Sequence, residues 1–476
     1  MRHRAAPALV AVASAIAVLG CALTRGDVDR RPNIVVILAD DMGYGDPGCF
    51  NPRSAIPTPN IDRLAREGMR FTDAHAPGSW CVPSRYGLLT GRYPCRVRRF
   101  FVNRGPAIEA DRLTVASFLQ DQGYATGMVG KWHLGFDGGP ATDGGPLRGG
   151  PVDRGFDRFF GIHASLDIPP YYYIRDRDPV AAPSGRVEAS GTDGWTDIQG
   201  AFWRAGDCAP GFDHAEVLPL FEREAVAFLD DHAGADEPFF LYLALAAPHT
   251  PWLPAPEFVG RSGAGMYGDF VAQVDAAVGE VLAALDRNGQ ADRTMVLFTS
   301  DNGPVWYPED VDRLGHASTG PFRGMKSDAW EGGHRMPFVV RWPERVDAGS
   351  VSGQTTCFTD LLATVSDVVG VPLPETTTAD SHSILPVLLD PSSASTRTTT
   401  ILKADASVVR HGDWKLITHL GSGGFSKPRR IKRAPGGPAG QLYDLANDPG
   451  ETTNLWSARP DVVERLSELL APYRAN

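Results

Sequence analysis

The sequence predicts a large α/β domain followed by a smaller α+β region built on antiparallel strands. Three observations carry this. Apolar runs that end abruptly in carboxylates occur at "NIVVILADD" (33–41) and "TMVLFTSDNG" (294–303), which is how buried parallel strands look as they leave a sheet. Amphipathic patterns over 217–229 and 270–285 read as helices between such runs, and strands alternating with helices over this length indicate an α/β domain. After about residue 389 the composition shifts to "DPSSASTRTTT" and then to short strand-like pieces.

Taken in order, residues 1–21 read as an export signal: Arg2 and Arg4, an apolar stretch over 5–19, then Gly20-Cys21. "VLGC" has the form of a bacterial lipobox, so lipoprotein-type export to the periplasm or cell surface is expected, with a lipid on Cys21 as the sole membrane contact. No later segment stays apolar for the ~18 residues a membrane span needs. "GYATGMVGKWHLG" is a shorter strand ending at Lys131-Trp132-His133, and "PFFLYLALAAPHTPW" a buried strand ending at His249. The C-terminal pieces are "ILKAD", "GDWKLITHL", the glycine- and arginine-rich loop "GSGGFSKPRRIKRAPGGPAG", "QLYDLANDPGETTNL" and a final helix. The expected domains are 32–390 and 395–476, with no internal repeat.

A hydrophobic fraction of 42% in 476 residues is ample for a packed core. The formal charge is −11, from 46 basic and 57 acidic residues without long acidic runs, so the average surface offers nothing to a nucleic-acid backbone. An anionic substrate would need a local basic pocket.

Asp and Asn at strand ends are ordinary turn residues, and Asp40-Asp41 alone would say little. Asp301-Asn302 ends a second strand in the same way, and loops beyond the carboxyl ends of strands in an open α/β sheet form the ligand crevice. Together the two clusters suit Ca²⁺ or Mg²⁺, which takes several hard oxygen ligands. Lys131, His133, His249 and Lys326 are each ordinary polar residues singly; four cations at loop positions of an acidic chain suit a tetrahedral anion beside the metal.

Cys81, in "SWCVPSRYGLLTGRYPC", admits several readings. A disulfide to Cys95 or Cys49 is reasonable on spacing. A zinc site would want another Cys or His close by, and Cys95 is 14 residues away. A thiolate nucleophile near a helix start is open too, with Ser84 as the cap, although an oxidising compartment would endanger it.

"CVPSRYGLLTGR" has the form C-x-P-S-R-x-x-x-L-T-G-R, which resembles the signature of the formylglycine-dependent (type I) sulfatases of the alkaline phosphatase superfamily. Eight fixed positions at ~5% each match by chance on the order of 10⁻⁸ per chain, which excludes coincidence. "GYATGMVGKWH" is similar to the second signature of that family, and the resemblance runs on through "ADDMGYGD", "RGFDRFFG", "APHTPW", "TSDNG", "GPFRGMKSDAWEGGHRMPF" and "QLYDLANDPGETTNL". It covers about residue 32 to the end; the departures Pro47 and Met336 fall where no chemistry is assigned.

The resemblance implies a mixed, mostly parallel central sheet flanked by helices, with a smaller C-terminal α+β domain. It implies that a maturation enzyme oxidises Cys81 to formylglycine, with Pro83 and Arg85 in the segment read. Asp40, Asp41, Asp301 and Asn302 match Ca²⁺ ligands, and residue 81 also contacts the metal. Arg85, Lys131, His133, His249 and Lys326 match positions that hold formylglycine or sulfate. One hydroxyl of the aldehyde hydrate attacks sulfur, with Asp301 taking or orienting the proton, while His249 and Lys326 donate to the leaving oxygen. The second hydroxyl, with His133 as base, expels sulfate. If Cys21 and Cys81 are set apart, Cys49, Cys95, Cys208 and Cys357 remain for disulfides.

The expected function is hydrolysis of sulfate monoesters on sulfated carbohydrate or a small aryl sulfate. The alternatives are a phosphomonoester or phosphonate hydrolase of the same superfamily, and a catalytically silent glycan-binding surface lipoprotein. The stretches 163–178 and 305–316 are candidates to line the leaving-group pocket. Tyr171 to Tyr173 either stack on a sugar or pack under the Pro-Pro turn. His316 is the further residue expected to reach a substrate hydroxyl.

Overall fold

The apolar runs become strands because β-branched and aromatic residues fit a pleated, covered surface. A computed structural model describes residues 31–97, 105–140, 145–374, 377, 379–403 and 405–474; the expected export signal and Cys21 fall outside them. The strands of the main sheet are β1 (Asn33–Ala39), β2 (Met69–His75), β3 (Ala125–Lys131), β4 (Arg158–Ile162), β5 (Ile174–Arg175) and β6 (Asp178–Pro179). After a separate pair, β7 (Gly185–Val187) and β8 (Gly206–Cys208), come β9 (Phe239–Ala244), β10 (Thr294–Ser300), β11 (Arg335–Arg341), β12 (Ser350–Ser352) and β13 (Thr356–Cys357). The order is β12-β2-β11-β10-β1-β9-β3-β4-β5-β6, with β13 also on β2. Its centre, β10-β1-β9-β3-β4, is parallel, and β11 joins it antiparallel.

Alternation along β1 divides the core. Ile34, Val36 and Leu38 face one apolar cluster, whereas Val35, Ile37 and Ala39 face another. The first is completed by α2 (Cys81–Thr90), α3 (Val115–Asp121), α7 (Asp360–Val369) and α8 (Leu385–Leu389). The second takes α1 (Pro59–Arg66), α4 (Val217–Asp231) and α5 (Gly265–Arg287). The result is the expected α/β architecture, helices covering both faces of a mostly parallel sheet.

The C-terminal strands β14 (Thr399–Leu402), β15 (Val408–His411), β16 (Trp414–Ile417) and β17 (Gln441–Asp444) form an antiparallel meander in sequence order. One face, with Ile401, Val409, Leu416 and Leu442, packs on α9 (Pro460–Arg474). The other, with Leu402, Val408, Ile417 and Tyr443, packs on Ala329 and Trp330. The small sheet thus leans on a loop only a few residues beyond Lys326.

Three expectations need correction. β9 stops at Ala244; "LAAPHTPW" continues as buried irregular chain to His249, as its prolines demand. α2 begins at Cys81, so Ser84 is inside the helix and donates its hydroxyl to Gly78 O at 2.9 Å instead of capping. Cys49, Cys81, Cys95, Cys208 and Cys357 are all free thiols, although Cys95 and Cys357 border the same apolar cluster.

A buried charge network joins the two sheets. The Lys415 ammonium of β16 lies 2.9 Å from Glu331 Oε1, 2.9 Å from Glu451 Oε1 and 3.0 Å from His334 Nε2. His334 Nε2 therefore accepts from Lys415, its Nδ1 faces His75 Nδ1 at 3.1 Å, and His75 Nε2 lies 2.9 Å from Asp73 Oδ1 and 2.8 Å from Arg410 Nη1. Arg410 and Arg335 complete the neutralisation of Asp73 at 2.5 and 2.8 Å. Burial holds both histidines below the ordinary imidazole range. Burial opposes ionisation of Asp73 and Glu331, but Arg335 with Arg410, and Lys415 respectively, outweigh it and keep both carboxyls low.

These shifts share one sign and are opposed in part by Glu451, whose carboxyl is pushed by burial up to about 7, so that it adds stability as pH falls through 7. Below about pH 6.5 the unfolded histidines take up protons that the native ones refuse, and below about pH 4 the unfolded carboxylates do the same, so stability falls with falling pH. The urea midpoint is expected to be clearly lower at about pH 5 than at about pH 7.5, each histidine contributing up to ~1.4 kcal/mol per pH unit. An unchanged midpoint would mean that the histidines are charged in the folded protein.

Candidate active site

The in-register parallel pairing of β1 with β10 sets Ala39 beside Ser300, so the residues that follow, Asp40 and Asp301, emerge side by side. Asp301 N donates to Ala39 O at 3.0 Å and Asp41 N to Asp301 Oδ1 at 3.2 Å. β3 delivers Lys131, whose ammonium meets Asp40 Oδ2 at 2.5 Å. From the first turn of α2, Cys81 Sγ lies 3.5 Å from Asp40 Oδ1. One turn on, Arg85 is fully buried; its Nε donates to Asp301 Oδ2 at 3.0 Å and an Nη to Lys131 O at 2.9 Å.

Asp41 gathers the second half. Lys326 Nζ stands 2.7 Å from its carboxylate, Asn302 Nδ2 donates to Oδ1 at 2.6 Å, and His249 Nε2 is 3.6 Å from Oδ2. His249 donates Nδ1 to Thr250 O at 2.6 Å, which leaves Nε2 facing the cluster. His133 is nearly buried, its Nδ1 3.5 Å from Ser165 Oγ. Asp41, His133 and Ser327 have φ of 65, 56 and 70°, left-handed conformations that cost ~1 kcal/mol or more each.

The floor of the site is a glycine contact. A Cβ on Gly303 would come within 1.9 Å of Gly332 O, and Gly303 N donates to Gly333 O at 3.1 Å, so the Glu331–Gly333 turn supports Asp301-Asn302 from below. The Lys415 network holds Glu331 and therefore this floor.

Buried charge sets the electrostatics. Burial disfavours the Asp40 anion, yet Lys131, His249, Arg85 and Lys326 keep its carboxyl well below the usual range. Asp301 is pushed up to about 7 by burial and by facing Asp40. Burial, then Asp301, pushes the Cys81 thiol up, which removes the thiolate reading despite the helix start. Burial, with Lys131 and Arg85, holds His133 neutral. Asp40, Asp41, Cys81 and His249 each present a ligand atom within 4.8 Å of one another. Asn302 Oδ1 is buried without a partner. Converging carboxylates beside an orphaned amide oxygen fit a hard divalent cation. A second cluster, His75, Glu331 and His334, has its centre taken by the Lys415 ammonium.

Of the sequence-derived candidates, Asp40, Asp41, Cys81, Arg85, Lys131, His249, Asp301, Asn302 and Lys326 are brought together, with His133 beside them. His316 is not. It is fully buried, Nε2 on Asp46 Oδ1 at 2.8 Å and Nδ1 accepting from Ala55 N at 3.3 Å, so no ring nitrogen is left for a substrate. Tyr171 and Tyr172 are buried, stacked on Phe212 and His163, so they pack under the Pro-Pro turn.

Beside Lys326 lies a cavity of about 660 Å³. Its wall includes residues 307–310 and Arg313 of the expected 305–316 stretch, but nothing from 163–178. Residues 194–196 with Gln199, and 425–427, take that place. Trp195, in the turn-rich "GTDGWTD", packs edge-on against Trp252 at a ring separation of 4.8 Å and lines the cavity; a large aromatic among turn residues was the one signal for the first of these segments.

Comparison with known proteins agrees with this geometry. The sulfatase family profile matches residues 32–371. N-acetylgalactosamine-6-O-sulfatase of Bacteroides thetaiotaomicron is 34% identical over 489 residues, covering 94% of this chain and 93% of that protein. Human arylsulfatase A is 34% identical over 472 residues, covering 93% and 87%. A solved B. thetaiotaomicron structure, from work on the metabolism of multiple glycosaminoglycans, superposes with a TM-score of 0.82 at 32% identity, covering 94% of this chain and all of that one. The fold is that of the alkaline phosphatase superfamily. Within it the chain belongs to the sulfatase family and is a sulfuric ester hydrolase.

Proposed function

We propose that Cys81 is oxidised to formylglycine and that the finished site, holding Ca²⁺ through Asp40, Asp41, Asp301, Asn302 and residue 81, hydrolyses sulfate monoesters of carbohydrates or aryl alcohols. The observation that carries this is a buried, protonated Cys81 opening α2 against Asp40 and the cations of the site, inside C-x-P-S-R. As its hydrate, formylglycine supplies two hydroxyls on one carbon, one to attack sulfur and one to expel sulfate. Ca²⁺ supplies polarisation of the sulfate oxygens.

The chain's own residues do the rest. Lys131 and Lys326 neutralise the anion in a water-poor pocket where charge is worth most. Arg85, tied to Asp301 and to Lys131 O, fixes α2 and so residue 81. Asp301, held by Arg85 from the same helix as residue 81, is placed to orient or take the proton of the attacking hydroxyl. His249 Nε2 and Lys326 Nζ donate to the departing oxygen, and neutral His133 takes the proton that frees sulfate. Export through residues 1–21, with a lipid on Cys21, would bring the enzyme to sulfated glycans outside the cytoplasm. Residues 32–390 carry the chemistry and 395–476 close it from one side.

Protein co-expressed with a maturation enzyme is expected to yield a Cys81 peptide with an aldehyde in place of the thiol, and to prefer aryl sulfate over aryl phosphate. Chelation is expected to lower kcat by about tenfold or more, with Ca²⁺ restoring it. A preference for phosphate would favour the phosphomonoesterase reading; an intact thiol in the native host would favour the silent glycan-binding one.

A further inference from the structure

We infer that residues 425–433 form a docking strip for a polyanionic chain, so that the ester in the catalytic site belongs to one unit of a longer substrate carrying further sulfate or carboxylate groups; this rests on the sulfate-ester reading of the site. The cavity beside the site has Trp195, Tyr307, Met325 and Phe425 in its wall; Arg313 there is paired with Asp310 at 2.8 Å and Glu309 is a second carboxylate, so among the described residues the unpaired positive charge of the wall is Lys427, on the side of the strip. Met325 in that wall directly precedes Lys326, whose ammonium is 2.7 Å from Asp41, so one loop carries both a cavity residue and a catalytic cation. One rim is the start of the strip. Beyond it follow Arg429, Arg430, Lys432 and Arg433, all exposed, which with Lys427 make five cations in seven residues of a chain whose net charge is −11.

The strip is built, not a loose tail. Ser422 N donates to Pro428 O at 3.1 Å, Gly423 N to Arg429 O at 2.9 Å and Ile431 N to Leu420 O at 3.2 Å. Ser426 N donates to Asp328 Oδ1 at 3.1 Å, which ties the strip two residues from Lys326. The backbone is thus fixed while the charged side chains point outward. Among the described residues no carboxylate forms an ion pair with any of the five; Arg433 donates Nε to Gly437 O instead. A row of like charges without counterions is a cost to the free protein that a polyanion removes. Phe425, 39% exposed at the rim, gives a sugar ring an apolar face between cavity and strip. A membrane surface would also attract these cations, but their continuity with the cavity favours a chain leaving the active site.

The test is the full-length variant Arg429→Gln/Arg430→Gln/Lys432→Gln/Arg433→Gln, assayed on a polysulfated oligosaccharide and on a small aryl sulfate. KM for the oligosaccharide is expected to rise about tenfold, four exposed ion pairs being worth roughly twofold each. The salt dependence of that KM flattens in the variant, while the aryl sulfate, which reports on the sulfate site alone, keeps its constants. An unchanged oligosaccharide KM, or an equal loss on both substrates, overturns the proposal. So does loss of binding to phosphatidylserine–phosphatidylcholine vesicles with oligosaccharide kinetics untouched, which would make the strip a membrane contact. Calorimetric binding of the oligosaccharide separates the two readings: binding that depends on the four cations, in a protein inert to every sulfate ester, supports the strip and faults the catalytic assignment.

Discussion

Cys81→Ser is expected to bind sulfate esters with near-normal affinity and to fail at turnover by a factor on the order of 10⁶, the scale of removing a nucleophile. A serine hydroxyl at this position sits against the same Asp40, Lys131 and Arg85, so the pocket for the anion persists. It offers one hydroxyl where the hydrate offers two. Once sulfated, a serine has no second hydroxyl on the same carbon to push sulfate out, and the ester is stable. The variant should therefore accumulate one equivalent of a serine sulfate ester at position 81, visible by mass spectrometry, after which hydrolysis stops. Steady multiple turnover would sink the mechanism, because any ordinary hydroxyl would then suffice.

Lys415→Met is expected to destabilise the protein by ~3–5 kcal/mol, the cost of breaking a buried ion pair from one side. Its ammonium has three hydrogens and three acceptors around it: Glu331, Glu451 and His334. Methionine fills the volume but leaves Glu451 buried without a counterion and Glu331 with Arg335 alone, 3.0 Å from its other oxygen. Urea unfolding should show the loss, and adding Glu451→Gln should recover part of it, since the orphaned charge disappears. Because Glu331 opens the turn under Gly303, the single variant should also lower kcat more than it raises KM. A stability change under about 1 kcal/mol would mean that Lys415 is not the counterion of this junction.

Much of the site was legible in the sequence because its parts mark the ends of strands. Asp40-Asp41 and Asp301-Asn302 stop apolar runs, and the exit of a parallel strand is where such folds bind ligands. What could not be read was which strands are neighbours: only the register of Ala39 with Ser300 makes two carboxylates 260 residues apart adjacent. His316 was misread for the same reason, since its partner Asp46 lies 270 residues away and nothing local announces burial. The wall of the cavity escaped because Trp195 sits in a glycine- and aspartate-rich turn, whereas 305–316 carried its aromatics in plain view. Cysteine count suggested cross-links that the fold does not make; Cys49, Cys95, Cys208 and Cys357 remain small, partly or fully buried side chains.

The segment just ahead of Cys81 is fastened by residues made much later: Lys403 N donates to Pro77 O at 2.9 Å and Ser327 N to Ser79 O at 2.6 Å. Cys81 itself is only 3% exposed once these are in place. At about 5–20 residues per second of synthesis, the chain between Cys81 and Lys403 takes on the order of tens of seconds to appear. Until then the pair of hydrogen bonds is incomplete; in the finished fold both are in place and Cys81 is buried. On the proposed oxidation of Cys81, the maturation enzyme has to act before this closure, and a variant whose C-terminal sheet closes faster is expected to carry less aldehyde at position 81, as read by mass spectrometry of that peptide.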